Sequence, residues 1–196
     1  RDQADITGLI GQYAHGNEPS HHIAYLYNFA GKAYKTQEKI HQIINEMYHN
    51  APDGLAGNED CGQMSAWYVL SAIGFYPVTP GTTNYIIGAP LFSSATIRLE
   101  NGKIFTIKAN NVTDKNFYIQ SAALNSKAYK KSYLNYFDIV KGGTINFKMA
   151  TIPSAFGAAD YPSTAITVNK IVLNPVIDGG VASFKNDKSI TIYSYQ

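Results

Sequence analysis

The chain has 196 residues, 45% of them hydrophobic and 15% charged, the balance of an ordinary folded chain rather than a disordered one. Its formal charge of +2 and its lack of any Lys/Arg cluster larger than Lys130-Lys131 exclude electrostatic capture of nucleic acid. No apolar run approaches the ~20 residues of a membrane-spanning helix, and the single cysteine, Cys61, permits no internal disulfide and is expected to be a buried, inert thiol. The chain starts on Arg1 without a methionine or signal peptide, which predicts a processed, truncated or engineered N-terminus. Fifteen tyrosines stand against one tryptophan. Tyrosine serves both sugar contact and the interior of sheets and helix interfaces, so both uses stay open.

In chain order, residues 2–13 read as the tail of an earlier helix. After Pro19-Ser20, the apolar positions Ile23, Leu26, Tyr27 and Ala30 follow i, i+3, i+4, i+7 and stop at Gly31, which predicts a helix of about 12 residues. Ile40, Ile43, Ile44 and Met47 repeat the stripe behind Thr36, a good N-cap. Met64, Trp67, Val69, Leu70 and Ile73 form a third helix ended by Gly74 and Pro77. From Thr83 the period shifts toward two, with strands at 95–99, 103–108, 117–120, 144–148, 165–172 and 189–193. Asn101-Gly102 is a hairpin signal, and 152–163 reads as a loop. The fold class is therefore α+β: a helical region 1–82, an antiparallel, sandwich-like β region 83–163, and further strands in 164–196.

Two motifs carry chemistry. In PDGLAGNEDCGQMSAW, Glu59 and Asp60 directly precede the third helix. Asn58, Glu59 or Asp60 could cap its free amides, and a carboxylate at a helix N-terminus keeps a low pKa, which also suits a general base. In HGNEPSHH, an amide, a carboxylate and three histidines fall between His15 and His22. His21 and His22 diverge by roughly 100° on a helix, so they cannot share one ion without strain. Asn17 and Glu18 offer hard oxygens instead, which favour calcium or magnesium if a metal binds.

HGNEPSHHIAYLYNFAGK, TQEKIHQIINEMY and PDGLAGNEDCGQMSAWYVLSAIGFYPVTPGTTNYIIGAPLF together resemble the C-terminal part of glycoside hydrolase family 92, the calcium-dependent bacterial exo-α-mannosidases. The likeness is dense from about Asp5 to Leu99 and looser through NGKIFTIKANN, FYIQSAALN and FKMATIPS. It implies the last helices of an (α/α)6 toroid followed by β structure, and inverting hydrolysis of terminal α-mannosides in a secreted, periplasmic or cell-surface enzyme. In its terms Asp60 is the general base with Glu59 as support or alternative. Asn17, Glu18 and Asp60 belong to a Ca2+ shell that binds the sugar's 2- and 3-hydroxyls, and His21, His22, Gln63 and Trp67 line the sugar. The family's general acid is a glutamate in a YxEGNAWQY-like segment, which nothing here matches. The resemblance thus predicts a fragment inactive alone, with a mannose-containing glycan and the rest of the enzyme as partners and α-1,2 linkage as the expected specificity. A stand-alone carbohydrate-binding or structural β module is the competing expectation.

Overall fold

The computed structural model describes residues 7–163, 176–178, 189 and 191–193. The chain forms two compact units, Arg1–Pro162 and Ser163–Gln196. In the second, β11 (Val176–Asp178) and β12 (Thr191–Tyr193) pair antiparallel. The expected strand at 165–172 lies outside the described residues.

The first unit opens with a hairpin, β1 (Leu9–Ile10) and β2 (Tyr13–Ala14), where a helix tail was expected. Gly8 and Gly11 take φ of 66° and 61°, which turns the chain back where helical backbone would continue it. Short 3-10 turns follow at Glu18–Ser20 and Ile23–Ala30, then α1 (Ala33–Met47) and α2 (Gln63–Ile73). Gly31 and Gly74 end the Ile23–Ala30 helix and α2 with left-handed backbone, as the sequence predicts. The Ile40, Ile43, Ile44 and Met47 stripe of α1 is buried.

Two expectations fail here. The segment Ile23–Ala30 is 3-10 rather than α, and its buried face is Ala24, Tyr25 and Asn28, while Ile23, Leu26 and Tyr27 are exposed. Ala24, Tyr25 and Asn28 themselves stand at helical spacing, so the period alone does not choose the buried side; the packing of Tyr25 against Ser71 and Trp67 does. Thr36 is not a cap either. Helix α1 begins three residues earlier, at Ala33, and Thr36 sits fully buried within it, its hydroxyl unpartnered.

The β region holds two sheets. The larger orders β5 (Ser94–Arg98), β6 (Ile104–Asn110), β10 (Gly143–Ala150), β7 (Tyr118–Leu124) and β8 (Lys127–Tyr129). The smaller orders β3 (Phe75–Tyr76), β4 (Asn84–Ile87) and β9 (Tyr133–Asn135), after which α3 (Tyr136–Val140) begins. The expected purely antiparallel arrangement is corrected in one place: β10 inserts between β6 and β7 and runs parallel to β6. Residues 111–142 supply the long crossover that a parallel pair needs. Asn101-Gly102 does close the β5–β6 hairpin, with Gly102 at φ 79°.

Residues of both sheets, among them Phe75, Ile87, Phe105, Ile107, Leu134, Ile145 and Phe147, share one core. A second core joins Tyr25, Ile40, Ile43, Ile44, Met47 and Trp67 of the helical region to Ile86. Strand β4 divides the two, because successive side chains point to opposite faces: Ile86 enters the helical core and Ile87 the β core. Across this seam the buried Asn28 amide donates to the carbonyls of Ile87 (2.9 Å) and Ser132 (2.8 Å), and Gln37 accepts from the Ile119 amide (3.0 Å). Among the described residues no helix is long and apolar enough to cross a membrane.

Candidate functional site

The two chemistry-bearing motifs meet because glycines let their backbones touch. A Cβ on Gly57 would stand 2.8 Å from the Gly16 carbonyl oxygen and 2.9 Å from its Cα, and one on Gly8 would stand 2.8 Å from Ala56 Cβ. Gly57 also takes φ 85°. Gly57→Ala therefore combines left-handed strain with overpacking, and its expected cost is about 2–4 kcal/mol in denaturant unfolding. Gly81 has nearly the same φ, 82°, with open space around it. Gly81→Ala is the control, expected to cost about 1 kcal/mol from strain alone.

The paired acids divide their work. Glu59 caps α2: its Oε1 accepts from the Ser65 amide (2.9 Å) and its Oε2 from the Ser65 hydroxyl (2.8 Å). Asp60, Cys61 and Gly62 then take left-handed backbone in succession, at φ 46°, 58° and 92°. Strain of this kind at non-glycine residues concentrates at functional positions. It turns the Asp60 carboxyl toward Glu18, at the start of the first 3-10 turn. Cys61 comes out exposed rather than buried, since its strained position is on the surface.

The two carboxyls interact directly. Hydrogen bonding to Asp60 holds Glu18 below the usual carboxylate range, whereas hydrogen bonding to Glu18, together with its charge, pushes Asp60 up. The expectation that a helix N-terminus keeps the Asp60 pKa low is thereby reversed: Glu59 takes the helix amides, and Asp60 faces a like charge. Ionised, Glu18 leaves its Oε1 buried without a hydrogen-bond partner. Two carboxylates, one of them with an orphaned buried oxygen, form a donor set suited to a hard cation. Among the described residues no cluster of three or more His, Cys, Asp or Glu converges as a ready metal centre.

The histidines have different surroundings. His15 is fully buried between two tyrosines, with Nδ1 2.7 Å from Tyr13 Oη and Nε2 2.6 Å from Tyr48 Oη. Because Tyr48 donates to the Met64 carbonyl (3.2 Å), its oxygen accepts from His15 Nε2, and Nδ1 accepts from Tyr13. Burial, with His21 adding to it, pushes the His15 pKa down to about 3. His21 is 2% exposed and also lowered by burial. Its Nε2 donates to the His15 carbonyl (3.0 Å), which leaves Nδ1 to accept from Gln63 Nε2 (3.1 Å). Gln63 also donates to Tyr76 Oη (3.0 Å).

Trp67 is fully buried, and its indole N–H donates to the His21 carbonyl (3.0 Å). His15 and Trp67 pack edge to face at 4.4 Å. Of the expected lining set, Gln63 is half-buried and His22 exposed, while His21 and Trp67 stand behind them in the core. Asn17 is exposed beside Glu18. Sequence reasoning missed Tyr13, Tyr48 and Tyr76, which are scattered along the chain and gather only in the fold.

Comparison with known proteins places this arrangement. Residues 1–151 match the sequence model of the glycosyl hydrolase family 92 catalytic domain. An uncharacterized secreted glycosidase of Arthroderma benhamiae is 32% identical over 145 residues, 72% of this chain and 19% of that protein. A family GH92 α-mannosidase from Bacteroides thetaiotaomicron superposes with a TM-score of 0.77 at 46% identity, covering 82% of this chain and 22% of that one. A family GH92 inverting mannosidase from the same species gives 0.72 at 41% identity, over 78% and 21% of the respective chains. This chain thus spans about a fifth of the length of the relatives it matches.

Proposed function

This chain belongs to glycosyl hydrolase family 92, and we propose that it supplies the base-bearing, calcium-binding part of an inverting exo-α-mannosidase. The substrate is a mannose-containing glycan with terminal α-mannosides, α-1,2-linked in the first instance, and the enzyme is secreted. The observation that carries this reading is the Glu18–Asp60 pair, two carboxyls held together by strained backbone and a glycine-tight loop contact.

Inversion needs a carboxylic acid at the leaving oxygen and a carboxylate that activates water on the opposite face of the sugar. Asp60 is that base: it takes the water's proton at its carboxylate. Glu59, both oxygens engaged by Ser65, anchors the start of α2 and with it the position of its neighbour. Gln63 and His22 contact the sugar. His21 and Trp67 act from behind, since His21 Nδ1 fixes the Gln63 amide and Trp67 fixes the His21 backbone. A base must be ionised, and Glu18, with a smaller contribution from burial, opposes that in Asp60. A calcium ion held by Glu18, Asp60 and Asn17 would supply the positive charge that keeps both carboxyls ionised, and an anchor for sugar hydroxyls.

The general acid falls to another part of the enzyme, together with an N-terminal β-sandwich and the first helices of an (α/α)6 toroid. The outer faces support such a partner. Ile23 and Leu26 are 42% and 44% exposed on a segment whose opposite face is already buried. Helical segments apolar on all sides are built to be enclosed.

The 196-residue chain is accordingly expected to release no mannose from an α-mannoside. Release that disappears in Asp60→Asn would overturn the incomplete-site reading. Calcium titration by calorimetry is expected to show weak binding, with Kd on the order of 0.1–1 mM, lost in Glu18→Gln. Binding of unchanged strength in that variant places the ion elsewhere.

A further inference from the structure

We propose that the cavity between the 48–55 turn and α2 is a second carbohydrate subsite, which accepts one neutral sugar residue near the start of α2. The cavity measures about 460 Å³, within the range of small-molecule sites. Its wall is built from one tight turn. His49 N–H donates to the Gly54 carbonyl (2.9 Å), Gly54 N–H to the Ala51 carbonyl (3.0 Å), and Tyr48 bridges to Leu55. Gly54 is obligatory there, because a Cβ would collide with the His49 carbonyl. The pocket therefore exists before any ligand arrives, which removes the cost of ordering it.

The chemistry of the lining selects the ligand. Tyr48 and Tyr68 meet at 4.8 Å with their rings inclined by 42°, so the cavity is bounded by two aromatic surfaces that do not lie in one plane. The Tyr48 hydroxyl is committed to His15 and Met64. The Tyr68 hydroxyl, the His49 imidazole and the Asn50 amide have no hydrogen-bond partner within the described residues. Ser65 lines the same cavity and is held by Glu59, which joins the pocket to the start of α2. No carboxylate, lysine or arginine lines it.

A nucleotide or an acidic ligand would find no countercharge here, and a purely apolar one would leave His49, Asn50 and the Tyr68 hydroxyl unanswered. A neutral polyol ring with one apolar face and hydroxyls at its rim answers both the rings and the polar groups. That the sugar belongs to a mannose-containing glycan rests on the proposed function. The existence of the subsite does not.

The test is an NMR titration of the purified chain with methyl α-mannoside and, separately, methyl β-glucoside. The expected result is mannoside-induced shifts at Tyr48, His49, Asn50, Ser65 and Tyr68, with Kd on the order of a millimolar, weakened about tenfold or more by Tyr68→Ala. His49→Ala, an exposed change that leaves the core intact, is expected to weaken binding as well. Equal, Tyr68-dependent binding of both sugars supports the subsite while removing its link to mannose. Shifts confined to the surroundings of Glu18 and Asp60 overturn the subsite and leave the proposed function standing. No shift at the pocket residues with either sugar overturns it too.

Discussion

Replacing Asn28 by alanine is expected to cost about 2–4 kcal/mol: the Ile87 carbonyl loses a buried donor, worth roughly 1–3 kcal/mol, and the Ser132 carbonyl loses one of two, worth about 1 kcal/mol, since it keeps the Ile87 amide. The Asn28 side chain is fully buried and joins the 3-10 segment to β4 through Ile87 and to the approach to β9 through Ser132. With the buried Gln37, which accepts from the Ile119 amide, it forms the polar link between the helical core and the β core. Denaturant unfolding of the chain measures the loss, with Asn45→Ala on the exposed face of α1 as a control expected to stay within about 0.5 kcal/mol. A cost for Asn28→Ala as small as the control's would mean that apolar packing alone holds the seam.

The second large effect is a pH dependence carried by His15. In the unfolded chain a histidine titrates near 6.5, whereas in the folded protein burial lowers His15 to about 3. The folded imidazole stays neutral where the unfolded one takes up a proton. Its contribution is therefore complete above about pH 6.5 and is lost as pH falls toward 3, at up to about 1.4 kcal/mol per pH unit. His21, also lowered by burial, adds in the same direction. Glu18 and Asp60 shift in opposite directions, so their contributions oppose one another. The slope is best read between about pH 5 and 6.5, above the ordinary carboxylate range. Unfolding midpoints across that interval are expected to fall with acid in the native chain and to fall less steeply in His15→Gln, which keeps a donor and an acceptor but cannot titrate there, His21 and His41 retaining the remaining slope. An equal slope in both would assign the acid sensitivity elsewhere.

Elements governed by local signals were legible in the sequence. The α1 stripe, the glycine stops at Gly31 and Gly74 and the Asn101-Gly102 hairpin follow from periodicity and turn chemistry. What depends on distant partners was not. The apolar run Ile23–Ala30 carries helical spacing on both faces, and only the packing of Tyr25 against Ser71 and Trp67 decides which face turns inward. The β6–β10 pair is parallel because β10 lies between β6 and β7, which run in opposite directions, an arrangement no local signal encodes. The turn at Asn125-Ser126 closes β7–β8 with φ of 49° and 67° and no glycine, and it is held because the Asn125 side chain accepts from the Thr144 amide.

The candidate site shows the same division. Glu59 and Asp60 stood out as adjacent acids at a helix start, and the capping reading has its place in the fold on Glu59, while Asp60 faces Glu18. The sharing of the Asp60 environment with Glu18 depends on Gly16 and Gly57, whose meaning appears only where the two backbones touch. The tyrosine surplus likewise resolves in part toward structure, with Tyr13 and Tyr48 clamping His15 and Tyr25 bonded to Ser71 in the core.

The role of Asp60 can be tested in an intact active site. Residues 7–151 of this chain would replace the matching segment of the Bacteroides α-mannosidase to which the chain is 46% identical, and mannose release would be measured before and after Asp60→Asn. The folded chimera is expected to hydrolyse an α-mannoside, and the asparagine variant, folded to the same extent, to lose at least about a hundredfold in rate. An asparagine variant as active as its parent would contradict the assignment of Asp60 as the water-activating base.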